Sequence, residues 1–267
     1  MNCRITAGHS GYTIVEVIIV LAVSGALFFS VAVLLSGKQA VTEASQSVRD
    51  FESNIQSVVS DVANGYYPTV SCAAIGSGPV TVPSGSSVPG SSGGCIFLGK
   101  ILNVRAQDLD VISLLGRQYN TGTIDVANLQ QARPVKVANA SVDLSVIYEY
   151  KYGTEVTKIV SLSDGLEYRA IAFISELGST STVGAVTGSR STLLYGVKGT
   201  AGSNTTDAKS LTISTIVGDA AELVAQPSGV FICLLSGNGK KAKITVGVSG
   251  SQTTTEVYQD AGVGSEC

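Results

Sequence analysis

Apolar and polar positions divide this chain into three unlike stretches. From Val17 to Gly37 no charged residue occurs over 21 positions. Coiled as a helix at about 1.5 Å per residue, that run crosses a hydrocarbon core about 30 Å thick. Beyond Lys38 the apolar positions thin out. Val41, Ala44, Val48, Phe51, Ile55, Val58 and Val62 step by three and four. That spacing is one face of a helix, with Glu43, Arg49, Asp50 and Glu52 mostly off it. Gly65 and Pro68 supply a stop. No breaker separates Tyr12 from Asn64, so the pattern predicts one helix, apolar all round in its first half and amphipathic in its second. The second half alone would suit a soluble coiled coil or a helix laid on a sheet. The residues beyond Pro68 favour the sheet.

Past Pro68 the pattern is β. The segments "CIFLGKILNV", "SVDLSVIYEYKYG", "VTKIVSLS", "YRAIAFISEL", "GVFICLLSG" and "KKAKITVGVSG" are short and rich in Val, Ile and Tyr, and Gly, Ser and Asn bound them. Asn238-Gly239 predicts a hairpin turn between the last two. Between Gly76 and Gly94, 15 of 19 residues are Gly, Ser or Pro, which reads as a long surface loop. Residues 178–189 and 199–206 read as further loops. The expected fold class is α+β: one long N-terminal helix packed on a mainly antiparallel β-sheet head.

Composition narrows the chemistry. Charged residues make up 14% of the 267, against about 25% in soluble domains. A surface of Ser, Thr, Gly and Asn suits packing against copies of the same chain. The net charge of −3 suggests no nucleic-acid partner. The sole histidine, His9, lies in the first eleven residues. Beyond it, Ser-His-Asp and Cys-His nucleophiles and histidine zinc sites are ruled out. "GNGKKA" (237–242) has a faint dinucleotide-binding look, but that motif opens a helix and strands flank this one. No phosphate loop is present, and no cofactor is expected. Lys240, Lys241 and Lys243 form one small basic patch. It reads as a solvated hairpin edge that resists edge-to-edge pairing. The sharper reading is contact with DNA phosphates, which the lack of aromatic neighbours weighs against.

One acid breaks the apolar run. Glu16 stands just inside it, and a carboxylate within a membrane helix costs about 2.5–3.5 kcal/mol on insertion scales. The preceding segment carries Arg4 and no acid, and a basic flank stays cytoplasmic, so the chain beyond Lys38 is expected outside. Signal-peptide removal would cut after the apolar run, with a weak candidate around "QAVTEA". A cut after Gly11 would instead keep the helix and make Tyr12 the new N-terminus. Its amine then lies one turn from Glu16, and in a bundle the amine of one chain neutralises the Glu16 of another.

"GYTIVEVIIVLAVSG" resembles the N-terminal signature of type IV prepilins and pseudopilins: a Gly, an aromatic, Thr, two aliphatics and Glu opening an apolar helix. Gly11, Thr13, Ile14, Val15 and Glu16 fit, and Gly25 matches a glycine common in the family. Tyr12 stands where Phe is usual, and Val33 where many pilins carry a proline. The resemblance covers about 30 residues. It implies cleavage after Gly11 by a prepilin peptidase, N-methylation of Tyr12, and assembly through Glu16 with copies of the chain or other pilins. It also implies a head made of a sheet laid on the C-terminal half of the helix. The expected divisions are a leader over 1–11, a membrane and assembly half over 12–37, an amphipathic half over 38–65 and a β-rich head over 66–267. Expected localisation is the cytoplasmic membrane for the precursor and an extracellular filament thereafter.

The cysteines are Cys3, Cys72, Cys95, Cys233 and Cys267. Cys3 would leave with the leader, which leaves four on the exported side, where disulfides persist. Cys72–Cys95 is favoured because it closes the Gly/Ser/Pro loop, and Cys233–Cys267 is the pair that remains. A disulfide bracketing the C-terminal region also agrees with the resemblance. There is no CxxC, which weighs against a metal site. The sequence therefore supports a non-enzymatic structural subunit of a pilus-like filament, its large head leaning towards a minor subunit. The retained Glu16 argues against the tip-most pseudopilin type. The alternative is an exported binding protein, membrane-anchored or released. Adhesion, motility, DNA uptake and secretion stay open.

Overall fold

The computed structural model describes residues 12–65, 72–74, 80–81, 92–93, 95–120, 124–126, 128–136, 145–175, 192–198, 223–249, 252–259 and 267. The chain divides into two compact units, Met1–Glu43 and Ala44–Cys267. Helix α1 (Ile14–Asn64) is continuous, as the pattern predicts. It ends at Gly65, whose φ of +67° is the left-handed conformation that closes helices, and whose N–H donates to the Val62 carbonyl at 3.1 Å.

In the first unit the helix is apolar and bare. Ile14–Val33 is long and apolar enough to cross a membrane. Large side chains such as Leu21, Leu27, Phe28 and Phe29 are exposed all round it. Ser30 turns its hydroxyl back to the Ala26 carbonyl at 2.9 Å, so this polar group needs no outside partner.

In the second unit the amphipathic turns are buried. Val48, Phe51, Ile55, Val58 and Val62 are all at most 4% exposed, whereas Val41, on the same sequence stripe, is 50% exposed. The buried seam therefore begins at Ala44.

The strands, in chain order, begin with β1 (Cys72–Ala74), β2 (Val80–Thr81), β3 (Ser92–Gly93), β4 (Cys95–Val104) and β5 (Asp108–Arg117). β6 (Tyr119–Asn120) and β7 (Ile124–Asp125) pair with each other; then come the short helix α2 (Leu129–Ala132), β8 (Val135–Lys136) and β9 (Val146–Glu149). The rest are β10 (Glu155–Ser161), β11 (Glu167–Tyr168), β12 (Ala170–Ser175), β13 (Thr192–Val197), β14 (Leu223–Ala225), β15 (Val230–Leu235), β16 (Lys241–Ser249) and β17 (Gln252–Gln259).

A seven-stranded sheet runs β14-β13-β12-β4-β5-β8, with β9 also paired to β5. A five-stranded sheet runs β11-β10-β15-β16-β17. Both are antiparallel throughout; β1 and β3 make a parallel pair in a small sheet with β2. The expected loop over Gly76–Gly94 thus contributes two short strands, and Val80 is buried in the main core.

One core joins the helix to both large sheets. Phe51, Ile55 and Val58 share it with Leu102, Val111 and Phe173 from one sheet and Ile232, Leu234 and Ile244 from the other. The opposite face of the seven-stranded sheet is buried too, by Ile101, Ile112, Leu114, Ala172 and Ile174. That explains why β4 and β12 read as apolar runs rather than alternations. A bulge between Phe97 and Gly99 inserts Leu98 into the second face. A Cβ at Gly99 would collide with the Phe173 carbonyl oxygen, so only glycine fits there.

Candidate functional site

The residues singled out by sequence fall in three places. The first is the start of α1. Gly11 lies outside the described residues. Tyr12 is 81% exposed, and Glu16 is exposed in the first helical turn. The Glu16 N–H donates to Thr13 Oγ1 at 3.3 Å, and the Val17 N–H to the Thr13 carbonyl at 3.2 Å. Thr13 is therefore the cap, and Thr13-x-x-Glu16 has the spacing of a capping box. Weighing Glu16 by its membrane cost alone misses this local role, although the four-residue signal is there in the sequence.

Magnitudes decide whether capping accounts for Glu16. An acid in a first turn gains about 0.3–1 kcal/mol from the helix dipole. A carboxylate in hydrocarbon costs about 2.5–3.5 kcal/mol. Capping suits a helix end in water but does not offset burial in a bilayer or a helix bundle. A second, charged partner is needed wherever the site is dry.

The second place is the cysteines. Cys233, fully buried in β15, is bonded to Cys267 with Cα atoms 5.6 Å apart. Cys95, buried at the start of β4, is also disulfide-bonded. The expected partner, Cys72, has its side chain outside the described residues. The backbone lays Cys72 of β1 opposite Ser92 of β3, three residues before Cys95. Cys3 lies outside the described residues.

The third is the lysine hairpin. β15 and β16 form it as expected, and Gly239 at φ +80° donates to the Ser236 carbonyl at 2.8 Å. The expected solvated edge is corrected at Lys243 alone. β17 pairs with β16 from Ala242 to Ser249, so Lys243 stands in an interior strand, while Lys240 and Lys241 are exposed at the hairpin end. Lys241 Nζ donates to the Cys267 carbonyl oxygen at 3.0 Å, and Lys243 sits 4.6 Å from the centre of the Phe231 ring. Two of the three lysines thus make contacts within the head.

Among the described residues no three His, Cys, Asp or Glu side chains gather to hold a metal ion. No family model, curated protein or solved structure matches the chain.

Proposed function

We propose that this chain is a non-catalytic subunit of a type IV pilus-like filament. In this reading it is made as a membrane precursor, cut after Gly11 by a prepilin peptidase and methylated on Tyr12. It then assembles with copies of itself or related subunits outside the cell. The observation that carries the reading is the run from Gly11 to Glu16 leading into a helix whose large apolar side chains are exposed among the described residues. A helix of that kind needs lipid or other helices. Filament assembly exchanges the first environment for the second. Tyr12 and Glu16, both exposed, are then free to meet across neighbouring chains. The size of the head favours a minor subunit. The head as a sheet system laid on the second half of α1 suits the same reading.

The test uses two substitutions at one position. Glu16→Val removes both charge and capping side chain, whereas Glu16→Gln keeps a capping-box residue and removes only the charge. Both variants should insert and be cut to begin at Tyr12, as mass spectrometry of the N-terminus would record. Both should then stay in the membrane, with incorporation into sheared surface filaments falling steeply. Breaking a buried pair by removing one partner costs about 3–5 kcal/mol, because the other charge stays uncompensated. Wild-type incorporation of Glu16→Gln would overturn the charge-pair role. A wild-type chain that keeps Met1, or begins near Ala44, would overturn the pilin reading in favour of an anchored or released exported protein.

A further inference from the structure

One edge of the seven-stranded sheet is left open. β9 flanks β5 in register, from Val146 opposite Val111 to Glu149 opposite Asp108. In an antiparallel pair, residues that bond across the ladder alternate with residues that do not. The Tyr150 N–H donates to the Gln107 carbonyl at 3.0 Å. Counting back by twos, Tyr148 and Val146 bond β5, and Ile147 and Glu149 turn their N–H and C=O groups the other way. Opposite Glu149, the Asp108 carbonyl is likewise turned from β9 and accepts from the Arg105 N–H at 2.9 Å. The outward groups of Ile147 and Glu149 have no partner among the described residues.

Natural edge strands are kept from pairing by shortness, lysine, proline or a bulge. β8 and β11 have two residues each and β14 has three. β17 is longer, and its side chains lie outside the described residues. β9 has no lysine, no proline and no register shift, and it exposes two aliphatic side chains, Val146 at 44% and Ile147 at 51%. A groove of about 570 Å³ is lined by residues 147–151 and, from α1, by Ser47, Asp50 and Asn54. A strand of four residues fills roughly 600 Å³, at about 3.3 Å per residue, 4.8 Å between strands and 10 Å between layers.

Outward N–H and C=O groups at strand spacing are matched by the backbone of another strand. Glu149 is exposed, and its carboxylate has no ion pair among the described residues. Asp50 is already bonded by Lys151 at 3.0 Å. The groove is thus left with one net negative charge. Directly opposed side chains gain from apolar contact and from opposite charge. We propose that the β9 edge docks an extended segment of another protein, which adds as a strand with a Lys or Arg opposite Glu149 and an aliphatic residue two places away, opposite Ile147. The β9 of a second copy fits less well. Pairing Ile147 and Glu149 of both copies sets the two Glu149 carboxylates diagonally on one face, within reach of each other's charge. The inference stands apart from the filament reading, since every residue involved belongs to the second unit.

The experiment uses the full chain, isotopically labelled, in detergent micelles. The probes are the capped peptide Thr-Val-Thr-Lys-Thr-Val-Thr and the same peptide with Glu for Lys. In either strand direction the central residue can lie opposite Glu149 with a Val opposite Ile147. Amide hydrogen exchange is read by NMR. In the free chain the Ile147 and Glu149 amides should exchange fast, while those of Val146 and Tyr148 are protected. The Lys peptide should slow both saturably. The Glu peptide should bind about two- to fivefold more weakly, the range of one exposed ion pair. Glu149→Lys should reverse that order. Ile147→Pro removes an outward donor and no bond to β5, so the head should stay folded and lose the peptide. Slow exchange at Ile147 and Glu149 in the free chain would overturn the inference, because the edge would already be covered. So would protection that grows with chain concentration alone, which means a second copy. So would peptides that leave both amides unchanged, or a Lys peptide that binds wild type and Glu149→Lys alike.

Discussion

The two parts of α1 are one helix under two regimes. From Ala44 onward its apolar residues are covered by sheets of the same chain; before Glu43 they are covered by nothing of the chain's own among the described residues. The covered part is amphipathic because half its surface meets water. The bare part is apolar all round because no side of it is meant for water. Helix propensity alone separates them poorly, since both parts are rich in Val and Ala. What separates them is who supplies the packing.

The largest expected effect tests that division. Phe51→Ala and Ile55→Ala should each destabilise the head by about 2–5 kcal/mol, because each opens a cavity in the shared core. Phe28→Ala and Phe29→Ala, on side chains 78% and 73% exposed, should leave head unfolding unchanged. Denaturant titration followed by far-ultraviolet circular dichroism in micelles would compare the four. Equal losses in both pairs would break the comparison.

A glycine pair sharpens it. Gly99→Ala should destabilise by about 1–3 kcal/mol or more, because the new methyl meets the Phe173 backbone, which cannot swing away. An added Cβ at Gly25 meets nothing within 4 Å. Gly25→Ala should therefore leave the head unchanged and favour the isolated helix by about 1 kcal/mol. Thermal melts of both variants against wild type would decide it.

Reduction of Cys233–Cys267 comes next. Its sequence separation of 34 residues gives about 3–4 kcal/mol in the chain-entropy model. Cys233→Ser with Cys267→Ser should lower the head's melting temperature and leave membrane insertion of the first unit unaffected. A melting temperature equal to wild type would show that the bond constrains little.

Much of this architecture is legible in the sequence because burial wrote a pattern. The single long helix, the seam from Ala44 to Val62, and the strands β4, β15 and β16 follow from periodicity and turn residues. β5 escapes because Asp108 and Asp110 break its apolar run. Asp110 is nonetheless fully buried, with Arg105 bonded to it at 3.0 Å. β17 escapes because "QTTTEVYQ" has almost no apolar face to announce it. The helix cap at Thr13 is legible from its spacing to Glu16, yet easily overlooked beside the membrane cost of that acid. The packing of α1 against the segment after β9 is not legible at all. It rests on contacts such as Ser47 to Lys151 and Asp50 to Lys151, separated by 104 and 101 residues.

The smallest expected effect is one of pH, and it is confined to the head. Asp164 sits in the turn between β10 and β11. Burial by itself would raise its carboxyl. The Leu166 N–H at 3.0 Å, the hydroxyls of Ser161 and Tyr168, and the field of Lys198 outweigh that and hold it below its ordinary value. Through Tyr168 it joins a network reaching Gln226, whose Oε1 accepts from Ser161 Oγ at 2.5 Å. A carboxyl lowered on folding stabilises above its unfolded pKa, near 3.9, and that contribution disappears as pH falls through the folded value. Wild type should therefore melt slightly higher than Asp164→Asn at neutral pH, and the gap should close below about pH 4. The effect stays small because the side chain is largely solvated. Glu16→Gln should shift no part of this curve, since Glu16 belongs to the other unit. A gap that persists unchanged through the acid range would mean that Asp164 acts through shape rather than charge. An equal acid response from Glu16→Gln would mean that the two units do not unfold separately, and the comparison would fail at its root.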